Sequence, residues 1–331
     1  MNERVVIVQS GFLGDAVLAS GMLRSLHSST VNLDAGLVVR AEFAELFEGH
    51  PALARVHRFD KRGKGGTAAL IEELRAIGYD TALVPHRSFR SAYVLRKAGI
   101  PRRIGFRQSD APWLLTSSVE YDISLHETAR NATLLQQAGI GRAGQEPRGW
   151  LVPDPGAAAR MRDRLGDAPI IVIAPGSVWP TKRWTAEGYA ELIRRLEDGG
   201  YRPVLAGSSG ERGLCETIAM HAALKREYIL CGELSLRDLL ALMSIARRVI
   251  TNDSAPLHLA ESVGTPVTAI FGPTVPEFGF GPQGEGSAVV ETVGLECRPC
   301  TIHGGMRCPI GTHICMTSIT AEQVVQLAIY D

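Results

Sequence analysis

The chain has 331 residues, 45% of them hydrophobic, with 35 glycines, 18 prolines and a formal net charge of +0 at pH 7. This length predicts two domains, each large enough to bury its own core. Zero net charge argues against a dedicated nucleic-acid-binding protein, and no run of about twenty apolar residues predicts a membrane-spanning helix. The N-terminus leads directly into a strand without a signal-peptide layout, so we expect a cytoplasmic protein.

The first half of the chain alternates apolar, strand-like runs with helical segments. A strand at Val5–Val8 leads through the glycine turn Ser10–Asp15 into a helix with an apolar face from Val17 to Leu26. Further strands are predicted at residues 36–39, 56–59 and 81–85, and further helices at residues 41–48, 68–77 and 92–98. This alternation predicts a parallel, doubly wound sheet of the Rossmann type. Because the turn lacks G-x-G-x-x-G, a nicotinamide enzyme is a poor fit.

The second half repeats this α/β pattern. Strands are predicted at residues 170–174, 203–206, 248–251 and 267–270. The Gly- and Pro-rich segment Gly141–Pro155 is predicted as the interdomain linker. We therefore expect an N-terminal domain over 1–150 and a C-terminal domain over 151–318. In this interpretation the terminal helix, within 319–331, packs back on the N-terminal domain.

The segment Thr251–Ala260 reads as a strand end, a polar cap and the start of a helix. The N–H groups of a first helical turn have no partner within the helix, and the helix dipole adds partial positive charge there. A diphosphate could therefore bind on Ser254–Leu257, with Asp253 suited to a sugar hydroxyl. The alternative interpretation is that Asn252, Asp253 and Ser254 only cap the helix.

Two further loops follow predicted strands, Ser10–Asp15 near the N-terminus and Pro175–Trp184 in the second half. Together with Thr251–Ala260 they resemble, in the same order, three signature regions of glycosyltransferase family 9, the lipopolysaccharide heptosyltransferases. The resemblance implies an α/β GT-B fold, in which two Rossmann-like domains with doubly wound parallel sheets face each other across a cleft. It also implies inverting, metal-independent transfer of heptose from ADP-L-glycero-D-manno-heptose to the Kdo/heptose-lipid A inner core of lipopolysaccharide.

The resemblance assigns the catalytic roles to Asp15, as the general base, and to Lys182, as the contact of the departing diphosphate. Without the resemblance, Asp15 reads as an acidic residue that complements the helix dipole. A carboxylate after a strand end and a glycine turn suggests Glu211 for the ribose, with a charge at a helix start as the alternative. For His258 an ordinary helix residue is favoured over a ligand contact. The donor-binding candidates are Ser177, Thr181, Lys182, Glu211, Asp253, Ser254, Ala255 and His258.

From Thr81 to Ser109 the chain has no Asp or Glu but many arginines. Some of these are expected to be solvated charges on helix faces. Others, with the basic loop at 61–64 and including Arg102 and Arg103, would form an anion-binding rim on the N-terminal domain. The candidates for contact with an anionic, lipid-linked glycan acceptor are Lys61, Lys64, Arg87, Arg90, Arg107, His126 and Arg130.

Of the six cysteines, Cys215 and Cys231 stand apart, whereas Cys297, Cys300, Cys308 and Cys315 form a C-x2-C-x7-C-x6-C cluster. In a cytosolic chain such a cluster suggests structural zinc before disulfides. The spacing is not that of a standard zinc ribbon or finger, so reduced thiols in a compact loop are favoured over zinc, and a redox role is the third interpretation.

Two alternatives to heptose transfer stay open at this point. One is a family 9 transferase that uses another nucleotide sugar or another glycan acceptor. The other is a non-catalytic nucleotide-sugar-binding protein, which the joint presence of Asp15 and Lys182 disfavours. No cofactor beyond the ADP-heptose donor is expected. We expect a monomer with peripheral contact to the cytoplasmic face of the inner membrane through the basic rim.

Overall fold

A computed structural model describes residues 3–29, 33–140 and 148–330. The chain divides into two compact units, Met1–Val152 and Pro153–Asp331. Each unit is built on one parallel sheet with its own buried core. The two parallel sheets agree with the predicted α/β class.

The first unit contains a parallel sheet with the strand order β3-β2-β1-β4-β5-β6 in its described part. Its strands are β1 (Glu3–Val8), β2 (Leu33–Arg40), β3 (Arg55–Phe59), β4 (Thr81–Val84), β5 (Arg102–Phe106) and β6 (Ser117–Val119). Its α-helices are α1 (Leu13–Ala19), α2 (Gly21–His27), α3 (Gly66–Ile77), α4 (Phe89–Lys97) and α5 (Glu127–Ala138). The central strand β1 is apolar and buried from Val5 to Val8, as expected for a strand covered on both faces.

The second unit contains a parallel sheet with the strand order β11-β10-β9-β7-β8. Its strands are β7 (Ile170–Ala174), β8 (Arg202–Leu205), β9 (Arg248–Asn252), β10 (Val267–Phe271) and β11 (Ala288–Glu291). Its α-helices are α6 (Pro155–Leu165), α7 (Ala186–Asp198), α8 (Arg212–Ala222), α9 (Leu236–Ile245), α10 (Ala255–Ser262), α11 (Ile314–Thr317) and α12 (Ala321–Val325). The carboxyl ends of β7, β8 and β9 lie at one edge, where ligands of open parallel sheets bind.

The structure differs locally from the predicted elements. The first predicted helix is two helices, α1 and α2, that meet at Ser20. The Ser20 hydroxyl donates to the carbonyl of Val17 at 2.5 Å and accepts the N–H of Trp150 at 2.8 Å. A side chain that bonds to the preceding turn competes with regular helix hydrogen bonding, so the interruption has a local cause. The segment 41–48, predicted as an α-helix, forms a 3-10 helix at Ala41–Leu46.

The C-terminal segment belongs to the second unit. Ala321 and Val324 of α12 are buried in the same hydrophobic cluster as Leu192 and Leu196 of α7. The sequence analysis expected residues 319–331 to pack back on the N-terminal domain; in the structure α12 packs within the core of the second unit. Of the predicted linker, residues 141–147 lie outside the described residues, and its last residue, Pro155, begins α6.

Among the described residues, every helix is too short or too polar to cross a lipid bilayer.

Replacement of Gly36 by alanine is expected to destabilise the first unit. A Cβ at this position would lie 2.0 Å from the Tyr79 hydroxyl, which is within hydrogen-bond distance (2.7 Å) of Nε2 of the buried His57. Overpacking of this kind costs about 1–3 kcal/mol of unfolding free energy. Thermal or urea denaturation measures the loss, and Gly213→Ala in α8 is the control because a Cβ there meets open space. A stability of Gly36→Ala equal to that of the control would contradict this expectation.

Candidate active site

The loop after β1 places Asp15 at the start of α1. The Asp15 carboxylate accepts the N–H of Phe12 at 3.1 Å, so it does complement the helix N-terminus. A Cβ at Gly11 would lie 2.8 Å from Asp15 Oδ2 and 2.8 Å from Gln9 Oε1, so a side chain at this position would displace one or both of these groups. Asp15 is half-buried, which leaves part of its carboxylate open to solvent.

Cationic side chains converge on the same loop. Lys61 Nζ and Arg40 Nε each donate to the carbonyl of Ser10 at 3.2 Å, and Arg90 Nη1 donates to the carbonyl of Lys61 at 2.9 Å. Burial lowers the pKa of Lys61, and the charges of Arg40 and Arg90 lower it further. Two of the predicted acceptor residues, Lys61 and Arg90, therefore lie at the Asp15 loop, where their positive charges are close together.

The other predicted acceptor residues lie elsewhere in the first unit. Arg87 stacks over the Tyr121 ring, with its Cζ 4.1 Å from the ring centroid. Arg107 forms an exposed ion pair with Glu120, 3.2 Å between Nη1 and Oε2, and Lys64 is exposed. His126 caps α5, where its ring accepts the N–H of Thr128.

Arg130, a predicted acceptor contact, and Arg103, a residue of the predicted rim, both point inward, which corrects the sequence analysis. Arg130 is 2% exposed and donates to Glu127 Oε2 at 3.0 Å as well as to the hydroxyl of Tyr121 and to two backbone carbonyls. Arg103 is 9% exposed and donates to the carbonyls of Leu114 and Ile100. Both guanidinium groups are committed to the interior of the unit, so neither fits a contact with an acceptor or a membrane.

The sequence analysis missed His86, which follows β4 and lies beside the Asp15 loop. Its Nδ1 lies 3.0 Å from the hydroxyls of Ser10 and Ser91 and 3.2 Å from that of Ser88. Burial, followed by the charge of Lys61, lowers the pKa of His86 to about 4, so the ring is neutral near pH 7. A single histidine after a strand carries no pattern that predicts this position.

In the second unit Lys182 and Asp253 form a buried ion pair. Lys182 Nζ lies 2.5 Å from Asp253 Oδ2, and the hydroxyl of Thr274 donates to the same oxygen at 2.6 Å. The two charged side chains are only 11% and 9% exposed. Thr274, which follows β10, was not among the predicted site residues. The pair fixes an ammonium group next to the start of α10.

Asn252 joins this pair to the loop after β7. Its Nδ2 donates to the carbonyl of Pro175 at 2.8 Å, and its Oδ1 accepts the N–H of Trp184 and the hydroxyl of Tyr189, each at 3.0 Å. Asn252 is fully buried, and a buried amide that loses such partners costs about 1–3 kcal/mol. The side chain is therefore the support that aligns the loop carrying Lys182 with the end of β9.

The start of α10 offers few backbone donors. Pro256 has no N–H, and the N–H of Leu257 donates to the carbonyl of Ser254 at 3.1 Å. The N–H groups of Ser254 and Ala255 are therefore the candidates for an anion at this terminus, fewer than the four positions predicted from the sequence. His258 is buried, 6% exposed, within the same helix.

Glu211 lies against the loop after β7. Its Oε2 accepts the N–H and the hydroxyl of Ser208 at 2.7 and 2.8 Å, and a Cβ at Gly176 would lie 1.7 Å from its Oε1. The carboxylate thus caps a helical turn, and it also stands at the ends of β7 and β8. The capping agrees with the interpretation of Glu211 as a charge at a helix start. The position at the strand ends is also compatible with the other interpretation, a ribose contact.

Ser177 and Thr181 lie in the loop after β7, Pro175–Trp184, and both have hydrogen-bond partners within the second unit. The carbonyl of Ser177 accepts two hydrogen bonds from Arg183, at 2.9 and 2.6 Å. Thr181 Oγ1 donates to the carbonyl of Gly305 at 2.9 Å and accepts the N–H of Gly305 at 2.8 Å, and His313 Nε2 lies 2.7 Å from the carbonyl of Thr181. Thr181 therefore anchors residues 297–315, the cysteine-containing segment, to the loop that carries Lys182.

The cysteine-containing segment gathers its thiols in one region. Burial raises the pKa of Cys315, and the nearby Cys300, Cys308 and Cys297 add to this effect, which brings the pKa to about 11. Cys308 has a lowered pKa, chiefly because its sulfur accepts the N–H of His313. Within the part of the chain that the structure describes, no three His, Cys, Asp or Glu side chains are arranged to hold a metal ion.

Cys215 and Cys231, which stand apart in the sequence, form a disulfide in the structure. Both are buried, and they link α8 to the segment between α8 and α9. The sequence analysis treated them as separate thiols, and this is corrected.

Comparison with known proteins extends these observations. The model of glycosyltransferase family 9 (heptosyltransferase) matches residues 67–305. Lipopolysaccharide heptosyltransferase 2 of Escherichia coli is 28% identical over 295 residues, which cover 83% of this chain and 84% of that protein. Lipopolysaccharide heptosyltransferase 1 of Pseudomonas aeruginosa is 27% identical, with 90% of this chain and 86% of that protein covered.

The solved structure of E. coli ADP-heptose LPS heptosyltransferase II superimposes with a TM-score of 0.80 at 27% identity, over 98% of this chain and 97% of that one. This similarity and the two parallel sheets confirm the predicted α/β GT-B fold. The family model covers well over half of the chain, which confirms the predicted activity class of glycosyltransferase. The chain belongs to glycosyltransferase family 9, the heptosyltransferases.

Proposed function

We propose that this protein transfers heptose from ADP-L-glycero-D-manno-heptose to the inner core of lipopolysaccharide, with inversion at the anomeric carbon. The relatives named above are lipopolysaccharide heptosyltransferases, and their similarity extends over most of both chains. The single observation that carries the proposal is the buried Lys182–Asp253 pair at the start of α10, because it holds an ammonium group in one position where a diphosphate could bind. These relatives include both a heptosyltransferase 2, at 28% identity, and a heptosyltransferase 1, at 27% identity, so the position of transfer is left to the substrate tests below.

In the proposed mechanism Asp15 acts as general base. Its carboxylate takes the proton of the acceptor hydroxyl while the hydroxyl oxygen attacks the anomeric carbon from the face opposite ADP. The cations around Ser10 would attract the phosphate and carboxylate groups of a lipid A and Kdo acceptor. Lys61, Arg90 and the exposed Arg87 and Lys64 are the proposed acceptor contacts of the first unit.

The bond between the anomeric carbon and the diphosphate breaks as the new bond forms, and negative charge develops on the departing ADP. We propose that Lys182 Nζ and the N–H groups of Ser254 and Ala255 stabilise this charge. Asp253 holds Lys182 in place, and Glu211 binds the ribose hydroxyls. Because this chain supplies the stabilising charge itself, we propose that transfer requires no divalent metal.

Asp15→Asn is expected to lower kcat about 10²–10⁴-fold, because the amide cannot accept the proton of the acceptor hydroxyl. ADP binding, measured by calorimetry, should stay within twofold of the unchanged protein. Asp163→Asn, at an exposed position of α6, is the matched control and should keep full activity. Turnover retained by Asp15→Asn would remove Asp15 from the mechanism.

Calorimetry with ADP, UDP, GDP and CDP is expected to show binding of ADP at least about tenfold tighter than the others, and a metal chelator should change neither this affinity nor turnover. Lys182→Met should weaken ADP binding but leave adenosine binding unchanged, because adenosine lacks the diphosphate. A preference for UDP or GDP would support the alternative family 9 transferase with another donor. Binding of ADP-heptose without transfer to any acceptor would support the nucleotide-sugar-binding protein.

We further propose that the protein works as a monomer at the cytoplasmic face of the inner membrane, where its acceptor lies, and that α4 and the turn Pro112–Leu114 contact the lipid surface. Trp113 is 72% exposed and Phe89 49% exposed, and Phe89 stacks on Tyr93 with centroids 5.8 Å apart. Lys97 Nζ lies 5.8 Å from the Tyr93 centroid, and the neighbouring Arg96 is exposed. Exposed aromatic rings flanked by cations favour the interface of an anionic bilayer.

The double charge reversal Arg96→Glu/Lys97→Glu is expected to weaken sedimentation with phosphatidylglycerol vesicles about tenfold or more, since each cation near such a surface contributes about 1 kcal/mol. Transfer to a delipidated, soluble acceptor should be unchanged. Arg162→Glu/Lys225→Glu is the matched control, with the same charge change at exposed positions of the second unit. Equal vesicle binding by both variants would place the lipid contact elsewhere.

A further inference from the structure

The imidazole ring of His86 is held by the protein at only one of its two nitrogens. Its Nδ1 lies 3.0 Å from the hydroxyls of Ser10 and Ser91 and 3.2 Å from that of Ser88. Ser10 belongs to the Asp15 loop, whereas Ser88 and Ser91 lie at the start of α4. The ring is half-buried, and its Nε2 has no hydrogen-bond partner among the described residues and is not fully enclosed. Nε2 is therefore available to a ligand.

The edge of the ring that carries Nε2 lies beside Gly11 and Asp15. A Cβ at Gly11 would lie 3.4 Å from His86 Cδ2, the ring carbon bonded to Nε2, and 2.8 Å from Asp15 Oδ2. Two atoms this near to one point are also near to each other, so the histidine edge and the carboxylate border the same space. A sugar that presents one hydroxyl to Asp15 would bring a neighbouring oxygen to His86.

The serine hydroxyls indicate which ring nitrogen carries the hydrogen. Burial is the main reason that the pKa of His86 is lowered to about 4, so near pH 7 one nitrogen donates and the other accepts. The contacts of the Ser91 hydroxyl with those of Ser10, at 3.4 Å, and Ser88, at 3.1 Å, use two of the three hydroxyl hydrogens. The third hydrogen has Nδ1 as its acceptor, which leaves the ring hydrogen on Nε2.

We propose that His86 determines acceptor specificity: with Nδ1 held by the serine hydroxyls, its Nε2–H donates to an oxygen of the acceptor sugar next to the hydroxyl that Asp15 deprotonates. A neutral donor binds this oxygen without forming an ion pair with Asp15, which stays available as the base. The cations around the Ser10 carbonyl attract anionic groups, whereas a directional hydrogen bond selects the position of one oxygen. A sugar without an oxygen at this position would leave the donor without a partner, which disfavours its binding.

The test compares two amides that each replace one side of the ring. The side chain of His86→Asn reaches the position of Nδ1 and lacks the donor at Nε2, whereas the longer side chain of His86→Gln reaches the position of Nε2. Initial rates are measured with a delipidated acceptor on which the unchanged protein turns over. The KM for this acceptor is expected to rise about tenfold in His86→Asn and to stay within about threefold in His86→Gln, as expected for one hydrogen bond. The affinity for ADP should not change in either variant.

His221→Asn, at an exposed position of α8, is the control and should keep the acceptor KM of the unchanged protein. A role confined to the serine hydroxyls predicts the reverse order, in which His86→Asn resembles the unchanged protein and His86→Gln is impaired. This reverse order would overturn the proposal. A lower melting temperature of His86→Asn with an unchanged acceptor KM would also overturn it and assign His86 to packing.

A second measurement uses the unchanged protein and does not depend on how the variants fold. NMR of protein with isotope-labelled histidine reports which ring nitrogen carries the hydrogen. We expect the hydrogen of His86 on Nε2, and the Nε2 signal should move when the acceptor is added to saturation. A hydrogen on Nδ1, or an Nε2 signal that the acceptor leaves in place, would overturn the proposal.

This inference rests on the proposed function, and the two fail in different ways. Absence of turnover by the unchanged protein with every inner-core acceptor would defeat the proposed function. Turnover by the unchanged protein together with a normal acceptor KM in His86→Asn would defeat only the role of His86.

Discussion

Parallel strand pairing is the constraint on which both candidate sites depend. When all strands of a sheet run in the same direction, the segments that follow them emerge at one edge. In the second unit this brings together Lys182, after β7, and Asp253, after β9, although 71 positions separate them in the chain. In the first unit the same constraint places His86, after β4, beside the loop after β1. Local sequence supplies the polar residues, and strand direction gathers them.

The cationic side chains at the two candidate sites have different surroundings. Around Ser10 the first unit concentrates Lys61 and Arg40 near a carboxylate that is partly open to solvent, an arrangement suited to an anionic acceptor and a general base. The second unit neutralises its central ammonium within a nearly buried pair, Lys182 with Asp253. A buried pair of this kind contributes little net stability, since desolvation offsets the attraction, and its value is to hold the ammonium in one position.

The cysteine-containing segment packs against the loop after β7 and helps to hold that loop in place. Thr181 is joined to Gly305 by hydrogen bonds in both directions. Gly304 has a φ of +93°, a backbone conformation that favours glycine. A Cβ at this position would also be crowded, because it would lie 3.0 Å from Trp179 Cβ and 3.1 Å from Lys182 Cε. The segment packs directly on the aliphatic part of Lys182 and thereby limits the positions that its ammonium can reach.

The sequence by itself determined the alternation of strands and helices, the parallel sheets and the polar residues that follow the strands, because periodicity and turn chemistry are local properties. Asp15 and Lys182 could be proposed for this reason. The inward position of Arg130, the placement of His86 beside the Asp15 loop and the Cys215–Cys231 disulfide were decided only by the tertiary structure. Each of these depends on which face of one element packs against another element. Residue spacing along a single segment does not show how close that segment lies to another.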